Sequence, residues 1–297
     1  MAGGLSVLWA ADGSPYCLAA AESLRRLVLP IAGDLVVLSV PPLNATQAAL
    51  KQLMGGGEEH RQQEIRKAEE AVQECVDVLG ELSIPVRRAV RWGSAAAEIA
   101  GEANEADVDL IGVGAKPFNA FRRAIMEDTA IAVVKATRQS VLLARPPVRD
   151  RLAAIIIYAS SSRWLSSAVE LTSRLNLGGK VKVVLANFIE PPEIAHGLFF
   201  SYKEYQRLRS EALSMEDHDL IRALMTDAAA TLQARGYETE IVIGEGNADQ
   251  GLSRLAEDVG AGAVVVGATP FDTGFFSSTA HALNAALRAG CSVLVAR

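Results

Sequence analysis

Apolar positions along this 297-residue chain come in two rhythms. Short unbroken runs suit strands buried on both faces, and longer stretches with apolar residues every three or four positions suit helices resting on one face. Leu5 to Ala11 is a run of the first kind, stopped by Asp12-Gly-Ser-Pro15. Ser14 is placed to cap, and Pro15 to open, a helix to about Val28 with Leu18, Ala21, Leu24 and Leu27 on one face. Asp34 to Val40 predicts a second strand, ended by Pro41-Pro42. Glu58 to Leu82 carries Ile65, Ala68, Val72, Cys75, Val76 and Leu79 at the helical period. Pro85 to Trp92, Asp107 to Val113 and Ser140 to Arg145 read as further strands. Helices are expected from Gly93-Ser94 to about Ala103 and from Asp128 to Thr137.

After the linker Pro146-Pro147-Val148-Arg149-Asp150 the order repeats. Ala153 to Tyr158, Val181 to Ala186, Glu238 to Ile243, Ala263 to Val266 and Ser292 to Arg297 predict strands. Arg163 to Leu175, a segment carrying Leu220, Ile221, Leu224, Ala228 and Leu232, a helix capped by Asn247, and Ala280 to Ala289 predict the helices between them. The connection from Asn187 to Gly236 is longer than its counterpart and holds an aromatic cluster from Phe199 to Tyr205. Val141-Leu-Leu-Ala-Arg145 and Val293-Leu-Val-Ala-Arg297 match almost residue for residue. Alternating strands and helices at these spacings predict a parallel sheet in each half, and the halves read as a duplicated domain, 1–147 and 152–297.

Composition narrows the class of protein. Half the residues are apolar, enough for proper cores, and the net charge is −6. An acidic chain lacks the basic footprint that phosphate backbones demand, so no nucleic-acid partner is expected. No apolar stretch is long enough to span a bilayer, and no membrane partner is expected. The three cysteines, Cys17, Cys75 and Cys291, are scattered and form no C-x-x-C pair, as expected for buried thiols in a reducing compartment. With no signal peptide at Met1-Ala-Gly-Gly-Leu5, a cytoplasmic location is expected.

Two apolar runs end alike, Asp107-Val-Asp-Leu-Ile-Gly112-Val-Gly114-Ala-Lys-Pro-Phe118 and Gly262-Ala-Val-Val-Val-Gly267-Ala-Thr-Pro-Phe271. Ligands in open α/β sheets bind at the carboxyl ends of strands, so a site is expected where these glycines lie. With the strand ending in Asp12-Gly13-Ser14 and the terminal Val-Leu-x-x-Arg strand, the pattern resembles the universal stress protein family, as a tandem member. The resemblance implies two Rossmann-like (adenine nucleotide alpha hydrolase-like) α/β domains, each a five-stranded parallel sheet with flanking helices. It implies pairing of 140–145 with 292–297 in an intramolecular pseudo-dimer, and a possible homodimer. It also implies a stress-response protein with no recognised catalytic cycle: many members bind an adenine nucleotide, ATP, and others bind none and act as dimers.

The residues carrying that binding would be Ala11, Asp12, Val40, Gly112 and Gly114 in the first half. In the second half they would be Ala159, Ser160, Gly267, Thr269, Gly274, Ser277, Ser278 and Thr279. The family's phosphate pattern is Gly, two residues, Gly, nine residues, then Gly followed by Ser or Thr. This chain departs from it in both halves. Pro117 and Pro270 replace the second glycine and have no N–H to donate. Glu127-Asp128 stands where Gly-Ser is required, and carboxylates repel phosphate. Both pockets therefore read as degenerate.

Bland readings stand beside these. Asp12 also suits a turn before a helix start, and both strand-end glycines suit tight turns. Gly112-Val-Gly114 begins like a dinucleotide fingerprint, but Pro117 stands at the third glycine. Glu216-Asp-His218-Asp219 has metal-ligand residue types, yet consecutive residues on a helix point apart. No metal, no Ser/His/Asp or Cys/His pairing and no catalytic residue is expected. Three functions stay open: a regulatory nucleotide-binding protein, a pure protein-interaction module, and an ATP-hydrolysing or adenylating enzyme.

Overall fold

The unbroken apolar runs form the strands of a computed structural model that describes residues 4–28, 32–41, 57–116, 129–147, 152–159, 162–175, 177, 181–189, 215–268 and 278–297. The chain divides into two compact units. Unit 1 holds Met1–Asp150 with Cys291–Arg297, and unit 2 holds Arg151–Gly290.

In unit 1 the elements are β1 (Leu5–Ala10), α1 (Pro15–Leu27), β2 (Ala32–Ser39), α2 (Gly57–Leu79), β3 (Val86–Val90), α3 (Ala95–Glu105), β4 (Leu110–Gly114), α4 (Thr129–Ala136) and β5 (Ser140–Ala144). Strands β3-β2-β1-β4-β5 lie in that order, every pair parallel. The chain's last strand, β10 (Ser292–Ala296), pairs antiparallel with β5, Leu294 opposite Leu142. Unit 2 contains β6 (Ala154–Tyr158), α5 (Ser162–Arg174), β7 (Lys182–Ile189), α6 (Met215–Gln233), β8 (Glu238–Glu245), α7 (Ala248–Val259), β9 (Ala261–Gly267) and α8 (Ser278–Arg288). Its strands run β9-β6-β7-β8, all parallel.

Burial explains which runs sit centrally. Every residue of β5, β6 and β10 is buried, whereas β3, at the margin of unit 1, exposes Arg87 and Arg88. Strand β8, at the margin of unit 2, alternates Glu238 and Glu240 with half-buried positions. Charges on marginal strands discourage pairing with a foreign strand.

Local chemistry sets the ends of elements. The Ser14 hydroxyl accepts from the Cys17 N–H at the start of α1, with Pro15 following the cap. Asn247 accepts from the N–H groups of Asp249 and Gln250, and Gly260 closes α7 with φ of 63°. Helix α2 stops at Leu79 rather than running to Leu82, because Gly80 takes φ of 76° and donates back to Val76 and Asp77. Strand β4 starts at Leu110, not Asp107, which turns at φ of 50°. Strands β7 and β8 run farther than expected, to Ile189 and Glu245, pairing along their full length.

The two units repeat one local geometry. Ala11 N–H donates to the Leu38 carbonyl at 2.8 Å, and Ala159 N–H donates to the Ala186 carbonyl at the same distance. Asp12 therefore matches Ser160, Ala10 matches Tyr158, and Val40 matches Phe188.

Candidate functional site

In unit 1 the candidate residues meet where β1 and β4 end. Ala11 is buried just beyond β1, and Asp12 beside it is exposed. One Asp12 carboxylate oxygen accepts from the Ser14 N–H at 2.9 Å, so the acid sets the turn into α1. Val40, one residue past β2, is half-buried, as is Gly114 at the end of β4. Helix α1 is tied to the Gly114 segment by Tyr16, whose hydroxyl donates to the Ala115 carbonyl at 2.6 Å. The Ala115 N–H in turn donates to Ala144 at 2.8 Å.

The glycines divide by what surrounds them. A Cβ on Gly112 would meet the Trp9 ring at 2.6 Å, so this glycine makes room for a fully buried indole. Among the described residues, a Cβ on Gly114 would meet Cys17 Cα at 3.5 Å and Cys17 Cβ at 3.8 Å, ordinary contacts. A Cβ on Gly267 would overlap the Trp164 carbonyl oxygen, so the end of β9 lies hard against the first turns of α5. Matched in sequence, Gly114 is half-buried and Gly267 is packed under a helix backbone.

In unit 2, Ala159 is buried, and its carbonyl accepts from the Asn187 side-chain amide at 2.5 Å. Asn187, buried itself, was not singled out from the sequence; an amide inside an otherwise apolar strand run is the signal that could have found it. Ser160, Thr269, Gly274 and Ser277 lie outside the described residues, as do Pro117, Pro270, Glu127-Asp128 and the 199–205 aromatic cluster. Ser278 and Thr279 open α8, where only their backbone is described.

Two thiols sit beneath Asp12. Burial pushes Cys17 and Cys75 up to about 12, and the Asp12 charge adds to both shifts. Thiols held protonated in this way are poor nucleophiles and poor metal ligands. Among the described residues no group of His, Cys, Asp and Glu is arranged to hold a metal ion. No helix among them is long and apolar enough to cross a membrane.

A cavity of about 410 Å³ lies elsewhere in unit 1, bordered by Asp34, Arg87, Arg91, Glu102 and Glu105. None of the candidate residues lines it. Four of its charges are engaged with one another: Glu102, buried at 3% exposure, takes hydrogen bonds from Arg87 and Arg91, and Arg91 also holds Glu105.

Comparison with known proteins gives this geometry a family context. The model of the universal stress protein family matches twice, over residues 6–145 and 161–297. A universal stress protein from Archaeoglobus fulgidus is 15% identical, with a TM-score of 0.68 over 99% of this chain and 97% of that one. A functionally unknown protein from Pseudomonas aeruginosa PAO1 is 17% identical, with a TM-score of 0.54 over 99% of this chain and 92% of that one. At these identities the likeness establishes the fold. No curated protein matches the chain.

Proposed function

We propose a function from the premise that this chain belongs to the universal stress protein family, whose model matches both of its halves. It is a non-catalytic, regulatory stress protein of the cytoplasm, built from two copies at 1–147 and 152–297. It holds an adenine nucleotide weakly in the first copy. The observation that carries this reading is Asp12: an exposed carboxylate at the carboxyl end of a central strand, with half-buried Gly114 on the neighbouring strand. A carboxylate placed there suits a ribose or base donor, and Gly114 lets a ligand approach the backbone. The phosphate contacts are degenerate, because Pro117 lacks an N–H and Glu127-Asp128 oppose the charge.

Calorimetry with ATP tests the reading. Saturable binding is expected, weakened at least about tenfold, or 1.4 kcal/mol, by Asp12→Ala. Binding unaffected by that change, or no binding, would overturn it.

A second reading, a protein-interaction module without nucleotide, draws on Gly112 and Gly267, whose space is taken by Trp9 and by the Trp164 backbone. Native mass spectrometry of the purified protein separates the two: co-purifying nucleotide supports the first reading, and a ligand-free homodimer supports the second. The enzyme reading would require metal-stimulated ATP turnover.

A further inference from the structure

The two repeats treat the same place differently. In the first, strands β1 and β2 end at Ala10 and Val40, both half-buried, with half-buried Gly114 nearby on β4. In the second, the matched positions are Tyr158 and Phe188. Their rings lie 6.3 Å apart and tilted by 47°, a favourable aromatic geometry. Tyr158 is 9% exposed although it ends a central strand.

The surroundings are shaped to the Phe188 ring. It stands opposite Gly244 on β8, where an added Cβ would meet ring carbons at 2.8 Å. A Cβ on Gly251, in the first turns of α7, would overlap the same edge of the ring. One edge of the ring faces both a strand glycine and a helix glycine, and a larger residue at either would displace it. The first repeat has Arg91 and Glu98 at those two positions, paired with each other at 3.9 Å, and Val40 at the position of the ring. Gly267 adds to the closure, being buried under Trp164 where Gly114 is partly exposed.

We propose that the second repeat is filled by its own side chains: Tyr158 and Phe188 stand where the first repeat has the smaller Ala10 and Val40, so the chain takes a single planar ligand, in its first half. The inference rests on the reading of the first repeat as an adenine-nucleotide site. It adds a stoichiometry and the residues that set it. Duplication has given one open copy and one closed copy. The closed copy uses that place for internal aromatic packing.

The test is calorimetric stoichiometry with adenosine and with ATP, on the full chain. The wild type is expected to bind about one ligand per chain. The variant Tyr158→Ala/Ser160→Asp/Phe188→Val, which installs the first repeat's residues and its carboxylate, is expected to bind about two. Ser160→Asp/Phe188→Val serves if the triple variant loses its circular-dichroism signature, and Ala10→Tyr/Val40→Phe is expected to abolish wild-type binding. Two ligands on the wild type, or one on a folded Tyr158→Ala/Ser160→Asp/Phe188→Val variant, would overturn the inference and leave nucleotide binding standing. Binding by that variant alone would support the filled cleft and overturn the first-repeat reading. No binding by either would overturn both.

Discussion

The hydroxyl of Tyr16 donates a 2.6 Å hydrogen bond to the carbonyl of Ala115. The two residues are far apart in sequence, and the bond pins the first turn of α1 to the segment that leaves β4. It holds Asp12 and Gly114, the two principal candidates for ligand contact, in fixed relation. Tyr16→Phe keeps the ring and removes the bond. It is expected to cost about 1 kcal/mol in chemical denaturation and to weaken ATP binding while the far-ultraviolet spectrum stays unchanged. Unaltered stability and affinity would mean that the contact holds nothing in place.

Gly114 and Gly267 look alike in sequence and predict opposite responses. At Gly267 an added methyl overlaps the Trp164 backbone, which cannot swing aside. Gly267→Ala is expected to destabilise by about 3 kcal/mol. At Gly114 the added methyl meets Cys17 Cα at 3.5 Å, and Gly114→Ala is expected to fold with stability within about 1 kcal/mol of wild type. Its effect should fall on ligand binding. Equal losses at the two positions would show that the repeats are packed alike.

This difference marks what the sequence carries and what it hides. Strand runs, the Ser14 and Asn247 caps and the duplicated order are legible because each depends on a few neighbouring residues. The resemblance also pointed to the pairing of the segments at 140–145 and 292–297, and β10 indeed lies antiparallel to β5. The purpose of Gly112 was hidden. It reads as half of a Gly-x-Gly, yet it is small because Trp9 is large, and in the second repeat Ile157 and Val265 divide the same volume. Volume exchange between strands leaves no local signature. The partners of Glu102 were hidden for a like reason, since Arg87 and Arg91 reach it from another element.

The thiols give a chemical check on burial. With Cys17 and Cys75 raised to about 12, only about one thiol in ten thousand is ionised at pH 8. Iodoacetamide is expected to leave both unlabelled in the native protein and to modify them on unfolding in urea. Rapid native labelling at Cys17 would show that the floor beneath Asp12 is open.

The C-terminal heptapeptide belongs to unit 1, and its removal tests that assignment. Val293, Leu294 and Val295 are fully buried, and Arg145 donates to the Cys291 carbonyl and, through its N–H, to the Ser292 hydroxyl, both at 3.1 Å. Deleting 291–297 removes a core strand from β5 and is expected to leave unit 1 unfolded or aggregated. Leu294→Ala is the graded version, expected to cost about 3 kcal/mol. A deletion variant that keeps cooperative unfolding of the first half would show that β10 is dispensable there.

Acid sensitivity should come from Glu102 and Glu22. Burial opposes the Glu102 charge, but hydrogen bonds from Arg87 and Arg91 outweigh it and hold the carboxyl below its ordinary 4.5. At Glu22, hydrogen bonding from Arg25 first, then from Arg26, outweighs a smaller burial effect and brings the value to about 2. A folded value below the unfolded one means that the native state binds fewer protons. The stabilisation is therefore fully present above pH 4.5 and is lost as pH falls through the folded values, near pH 2 for Glu22. Glu102→Gln is expected to lower stability at pH 7 by about 2 kcal/mol, discounted because the Arg87 side chain is 52% exposed. The difference between wild type and variant should shrink as the buffer is taken from pH 5 toward pH 2, because acid neutralises the wild-type carboxylate as the substitution does. Parallel stability curves across that range would mean that Glu102 stabilises α3 by its shape and not by its charge.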